Sequence, residues 1–278
     1  IFINVLTAVT HLNMFAEMVK VYFLYYTPPW VIMLGLVLIG ITILNGRFTA
    51  FARLVEVLTL FGLMNYFSSF IFAFPTNFNL EYIIPVFDTG WWGFIQGTLF
   101  IAGQVSEFLL LLMMIVAFIP DPYKHRRWVV NGIFVSGMVF SAAILIIIAM
   151  LSPELAKRIA FGGVNAAKML QIGDYIRGLE IFIFCTYDYI ALGKISLCLY
   201  CAWIALQKIF GGQKPKLKLY ATGLLVLMPS VWLLSYNKAY FLAVFMGRYI
   251  LWQYAAFILL LASAAVAIKN RRVGRVST

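Results

Sequence analysis

Charge is what this chain has least of. Ten of its 278 residues are Asp or Glu, 21 are Lys or Arg, and two are His. Charged residues make up 11% of the chain, against about 25% in soluble globular domains. That scarcity excludes an ordinary water-soluble domain. Cysteine is scarce too, limited to Cys185, Cys198 and Cys201. Cys198 and Cys201 have the spacing of a redox or half-zinc motif. They lie inside an apolar run with no second Cys or His pair, which argues against metal or redox chemistry. His11 stands alone in its segment, and His125 belongs to a basic run. There is no dense metal-ligand cluster, no nucleotide-binding loop and no His at convincing spacing from a nucleophile. Neither an enzyme nor a cofactor is expected.

What the chain does have is apolar length: 64% of it is hydrophobic. Eight runs have the length and composition of transmembrane helices, at about 1–25, 29–45, 50–74, 92–118, 128–151, 181–206, 219–235 and 245–268. They are too long, and too poor in polar/apolar alternation, for barrel strands. The expected class is an all-α polytopic membrane protein, with residues 1–278 forming one transmembrane domain.

Basic residues orient the runs. If residue 1 enters from the cytoplasm, the inner connections and tail hold 13 of the 21 basic residues, in runs such as KHRR (124–127) and KPKLK (214–218). The outer connections hold six: Lys157, Arg158, Lys168, Arg177, Lys238 and Arg248. The positive-inside rule then puts both ends in the cytoplasm. The net charge of +11 reflects this topology. No basic domain is present to bind nucleic acid, and anionic lipid is the modest additional partner. Trp30, Trp91, Trp92, Trp128 and Trp232 fall at or near helix ends, as interfacial anchors do. Ile1 already lies within an apolar run, which suggests that the sequence is part of a longer chain.

The inner turns are short and the outer connections longer. Residues 152–178 can form one or two short helices split at Gly162-Gly163. They read equally as a cap that gates outer access and as a plain surface connection.

The stretch 92–118 is the most unusual. Its middle holds Gly97, Gly103, Gln104, Ser106 and Glu107. An acid at the bilayer centre costs roughly 2.5–3.5 kcal/mol on the insertion scale for Asp, and glycines weaken the helix around it. A weak helix with a buried acid suits a transporter that opens backbone groups around a small polar substrate. A glycine-lined packing face with a protonated or paired Glu107 is the structural alternative. In the first run, Asn4, Thr7 and His11 stand at i, i+3 and i+7 and share a face. A polar stripe on a membrane helix faces protein or water. Glu17 with Lys20, and Arg53 with Glu56, are i, i+3 pairs that read first as neutralising ion pairs and second as outer and inner gates. Lys194, near the middle of its run beside Gly193 and Ser196, must be paired or lose its charge.

Several segments, taken in order, resemble a known family. They are NMFAEMVKVYFLYYTPPWVI (13–32), GRFTAFARLVEVL (46–58), IPVFDTGW (84–91), GQVSE (103–107), GDYIRGLEIFIF (173–184) and LGKISLCLYCA (192–202). The strongest local matches are Phe15-Ala16-Glu17 with Lys20 and Thr27-Pro28, and Arg53 with Glu56. Together they resemble the spore-germination permease family, the membrane B subunits of bacterial spore germinant receptors, within the amino acid–polyamine–organocation superfamily. The resemblance implies a ten-helix, inverted-repeat (LeuT-like) transporter fold. This chain would hold helices three to ten, with the first two missing. The family pattern is broken at Asp188, where an apolar or aromatic residue is expected.

On that resemblance, 92–118 is the sixth family helix and breaks near Ala102–Glu107 at a midplane cavity. Thr98, Ala102, Gly103, Gln104 and Glu107 would line a substrate site, with Thr7 and His11 bordering it from the third family helix. Glu107 would bind a substrate ammonium, carry a proton, or simply pin the break. Lys194 would replace a sodium ion held in related carriers, or pair with Asp188 or Glu107. Lys194 and Glu17 are therefore the coupling or gating candidates. The implied function is recognition of an amino acid or similar small polar germinant, signalled to receptor A and C subunits in the spore inner membrane. A proton-coupled amino acid permease is the alternative, and a structural scaffold with a vestigial site is the third reading.

Overall fold

The computed structural model describes residues 2–46, 48–73, 78–84, 90–99, 101, 124–172, 176–177, 180–211 and 215–234. The chain divides into two compact units, Ile1–Asp88 with Asp121–Leu234, and Thr89–Pro120 with Ser235–Thr278. The sequence had suggested one transmembrane domain over 1–278. In the second unit the described part is a helical stretch over 90–99, with residue 101, that opens on Gly90 at φ +66°.

In the first unit the apolar runs are helical: α1 (Phe2–Tyr22), α2 (Pro29–Gly46), α3 (Phe48–Ala73), α4 (Arg126–Leu151), α5 (Pro153–Arg158), α6 (Gly162–Lys168), α7 (Glu180–Phe210) and α8 (Pro215–Leu233). Local chemistry sets several boundaries. Pro29, Pro153 and Pro215 open their helices, where a missing N–H costs nothing. Gly211, at φ +76°, ends α7 in the left-handed conformation that favours glycine. The Lys218 ammonium donates to the terminal carbonyls of Phe210, at 3.2 Å, and Gly211. Ser152 joins two helices: its N–H bonds Ile148 O at the end of α4, and its hydroxyl accepts from Leu155 N at the start of α5. The β content among the described residues is one antiparallel ladder of two residues on each side, Gln171 opposite Arg177 and Ile172 opposite Ile176.

Among the described residues, two helices are both long and apolar enough to cross a membrane, 127–151 and 184–210; the apolar helix 29–45 is shorter. Most of α4 is uncovered and apolar, with Phe134, Met138 and Leu145 exposed. Such a surface suits lipid rather than water.

The core is built around α1, which packs against α2, α7 and α8, while α2 also packs against α7 and α8. Ala8, Val9, Leu12 and Ala16 of α1 are buried, with Met33 and Val37 of α2, Ile195 and Leu199 of α7, and Leu219 and Val226 of α8. Toward the C-terminal end of α1, Phe184 of α7 stacks with Phe15 at 6.3 Å and meets Phe23 at 3.9 Å between ring centroids.

Two glycines set the spacing of the helices. A Cβ on Gly40 of α2 would stand 3.1 Å from Leu199 Cδ1 and 3.2 Å from Ser196 Oγ of α7. A Cβ on Gly223 of α8 would stand 2.6 Å from Ile41 Cδ1 and 3.2 Å from Val37 Cγ1 of α2. In membranes, where apolar surface gains little by association, such close backbone approach is a main source of helix attraction. Gly223→Val should therefore lower stability by about 1–3 kcal/mol through overpacking. Gly223→Ala should cost less, because Ile41 Cδ1 is a chain end that can yield. Thermal unfolding in detergent measures both, and an unchanged midpoint for the valine variant contradicts the close-packing account.

Candidate functional site

A helix surrounded by three others can carry polar groups that a lipid-facing helix cannot, and α1 does. Thr7 and Thr10 are fully buried, and Asn4 and Asn13 nearly so. His11 is half-buried. The stripe of Asn4, Thr7 and His11 is joined by a second, Thr10, Asn13, Glu17 and Lys20, at i, i+3, i+7 and i+10. The second stripe is buried at Thr10 and Asn13, and only half-buried at Glu17 and Lys20.

Most of the buried groups with defined bonds are held by their own helix. The Thr10 hydroxyl donates to Thr7 O at 2.9 Å, and Asn13 Nδ2 to Val9 O at 2.9 Å. On α8 the Thr222 hydroxyl donates to Lys218 O at 2.8 Å, and the Ser230 hydroxyl to Val226 O at 2.7 Å. Such back-bonding fills a donor without fixing the group to a neighbour. Exchange for a ligand's hydrogen bond replaces one bond by another and is nearly neutral in energy.

Ser196 of α7 differs. It is fully buried, and among the described residues its Oγ has no hydrogen-bond partner. It faces Gly40, which lets α2 come close but has no side chain to offer the hydroxyl a partner.

The expected site residues fall into three groups. Thr7 and His11 lie on the central helix as described. Thr98 lies in the other compact unit; it is exposed, and its hydroxyl bonds Phe94 O at 2.8 Å. Ala102, Gly103, Gln104 and Glu107 lie outside the described residues, as does the expected helix 245–268.

The coupling candidates are placed differently from the ion-pair expectation. Among the described residues, Glu17 and Lys20 form no ion pair, and neither do Arg53 and Glu56; Lys157 with Glu154, at 3.6 Å, does. Lys194 is half-buried and engaged by neighbouring groups, but Asp188 forms no ion pair. Six residues apart on one helix, the two side chains leave on different faces. Among the described residues no three His, Cys, Asp or Glu side chains gather as a metal site, and Cys198 and Cys201 are buried thiols.

Comparison with known proteins bears on this arrangement. The family described as Spore germination protein (spore permease) matches residues 1–239. The chain belongs to the spore germination protein family. Among curated proteins it is similar to Spore germination protein B2 of Bacillus subtilis (strain 168). The two are 24% identical over 176 residues, covering 62% of this chain and 46% of that protein. The chain thus matches about half the length of its curated relative. No solved structure matches significantly. With its long apolar helices, this family member is a membrane protein of spore germination.

Sequence reading missed Ser196 as an orphan, and Thr222 and Ser230 as buried polar groups. Their signal was present in outline: Thr222 adjoins Gly223, and Ser230 follows Pro229, within one apolar run. The account of Ser196 predicts that Ser196→Ala leaves thermal stability unchanged within about 0.5 kcal/mol or raises it, since no hydrogen bond is lost. A loss above about 1 kcal/mol would show that Oγ has a partner after all.

Proposed function

We propose that this chain is the ligand-recognising membrane subunit of a spore germinant receptor. It binds an amino acid or similar small polar molecule in a transporter-like midplane site. The carrying observation is family membership over residues 1–239, combined with a central helix whose polar groups are buried within the bundle. A fold built only to be stable in lipid would not put Asn4, Thr7, Thr10 and Asn13 on its most enclosed helix.

In this reading the fold is a LeuT-like inverted repeat, and Thr7 and His11 of α1 contribute to the ligand site. On the family resemblance, Thr98, Ala102 and Gly103 contribute as well, with Gln104 orienting the ligand and Glu107 taking its ammonium. Binding shifts an equilibrium between packed states through unequal affinity for them. Receptor A and C subunits pass the signal on, in the spore inner membrane, with both ends of this chain cytoplasmic. Lys194, held within α7, supports proton-linked or uncoupled action over sodium coupling, because an ammonium occupies the position a cation would take.

The test uses the full-length protein in proteoliposomes and a labelled panel of proteinogenic amino acids, with and without a proton gradient. Saturable binding without accumulation is expected. Gradient-dependent accumulation would make the protein a proton-coupled permease instead. Glu107→Gln should lower ligand affinity at least tenfold while membrane insertion stays normal, and binding at wild-type affinity would remove Glu107 from the site.

A further inference from the structure

The turn that joins α1 to α2 is an exposed aromatic tip. Tyr25 is 73% exposed and Tyr26 95%, and Leu24 and Trp30 stand exposed beside them. The two tyrosine rings meet edge-on, at 5.5 Å and 87°. The backbone beneath is fixed. Leu24 N–H donates to Val19 O at 2.8 Å, Thr27 N–H to Leu24 O at 3.0 Å, and Val31 N–H to Pro28 O at 3.0 Å. Pro28 and Pro29 restrict it further.

Water is a poor match for this tip. Turns that project into water are built from charged and small polar residues. From 21 to 46 the chain holds no Asp, Glu, Lys, Arg or His. The polar side chains of the turn are the hydroxyls of Tyr25, Tyr26 and Thr27.

The exposed surface then changes along α2 in a definite order. Trp30, in the first turn, is followed by Val31, Leu38 and Ile39. Thr42, also exposed, donates its hydroxyl to Ile39 O at 2.7 Å and so needs no water. Tyrosine, then tryptophan, then aliphatic side chains is the order of headgroups, boundary and hydrocarbon in a bilayer. Neither bulk water nor a protein partner imposes that order.

We propose that the α1–α2 turn is embedded in the headgroup layer of the bilayer, with the edge of the hydrocarbon at Trp30. The placement goes beyond ligand recognition and rests only on the family member being a membrane protein. It also sets the depth of α1. Helices rise about 1.5 Å per residue, and half of the hydrocarbon layer is about 15 Å thick. Counted back from Tyr22 along a helix near the membrane normal, Asn13 lies about 14 Å deep and Thr10 about 18 Å. These two buried polar residues therefore bracket the middle of the bilayer.

Nitroxide labels on the full-length protein, in vesicles of phosphatidylethanolamine and phosphatidylglycerol, test the depth. Tyr26→Cys, Trp30→Cys and Leu38→Cys are labelled one at a time, at exposed positions where a label does not disturb packing. Cys198 and Cys201 are buried, and a Cys185→Ala background removes the third thiol. Relaxation by oxygen, which concentrates in hydrocarbon, is compared with relaxation by a water-soluble nickel chelate. The oxygen-to-nickel ratio should rise from 26 to 30 to 38, with the label at 38 about 12 Å deeper than that at 30. The proposal fails if the label at 26 meets the chelate as freely as a label in water, because the turn then faces water. It fails equally if that label is shielded from both reagents, because a protein then covers it, or if 26 and 38 lie at one depth. None of these readings depends on a bound ligand, so the depth test and the amino acid binding assay fail separately.

Discussion

A polar side chain withdrawn from solvent must find its partner inside the protein, and α1 carries four that are buried: Asn4, Thr7, Thr10 and Asn13. The remaining described architecture of the first unit follows from that constraint. α1 is covered by α2, α7 and α8, which bury Asn4, Thr7, Thr10 and Asn13 within the unit. Covering it on several sides requires close helices, and Gly40 and Gly223 permit that closeness where α2 meets α7 and α8. The exposed apolar work falls instead to α4, whose surface is largely uncovered.

The polar interior is held in a particular way. Thr10, Asn13, Thr222 and Ser230 each bond a carbonyl of their own helix. A core that locks its helices with cross-helix hydrogen bonds resists change of packing, since each such bond must break. The Thr222 and Ser230 hydroxyls, bonded within α8, do not tie that helix to a neighbour through these bonds. Ser196 carries this furthest, being buried and, among the described residues, bonded to nothing.

Hydropathy made the helices of this fold legible because each apolar run is bounded by chemistry that reads locally. Pro29, Pro153 and Pro215 sit at first positions, and Gly211 follows a last one. The stripe of Asn4, Thr7 and His11 was legible for the same reason, since spacing along one helix needs no knowledge of neighbours. Pairing between side chains was not. The i, i+3 spacing of Glu17 and Lys20 permits an ion pair, but long flexible side chains gain little from one at a partly wet position, and none forms. The orphaned hydroxyl of Ser196 depends on Gly40, which no local pattern connects to it. The bond between Asn165 and Tyr22 joins residues 143 positions apart.

That last distance separates the two ends of the bundle in kind. At the C-terminal end of α7, Lys218 bonds carbonyls seven and eight residues away. A contact so local survives any movement of α7 and α8 as a pair and carries no information about the other helices. At the C-terminal end of α1, the Tyr22 contact exists only while α1 and the connection beyond α4 keep their relative position. Helix rearrangement anywhere between them must change it. A contact that can both hold a packed arrangement and release it must be of intermediate strength. The hydrogen bond from Asn165, the Lys168 ammonium over the ring and the edge-on Phe161, meeting at Tyr22, together sit in that range. The apolar seam of Met150 and Leu151 with Ala166, Ala167 and Leu170 does not, because its rupture exposes surface that water cannot satisfy.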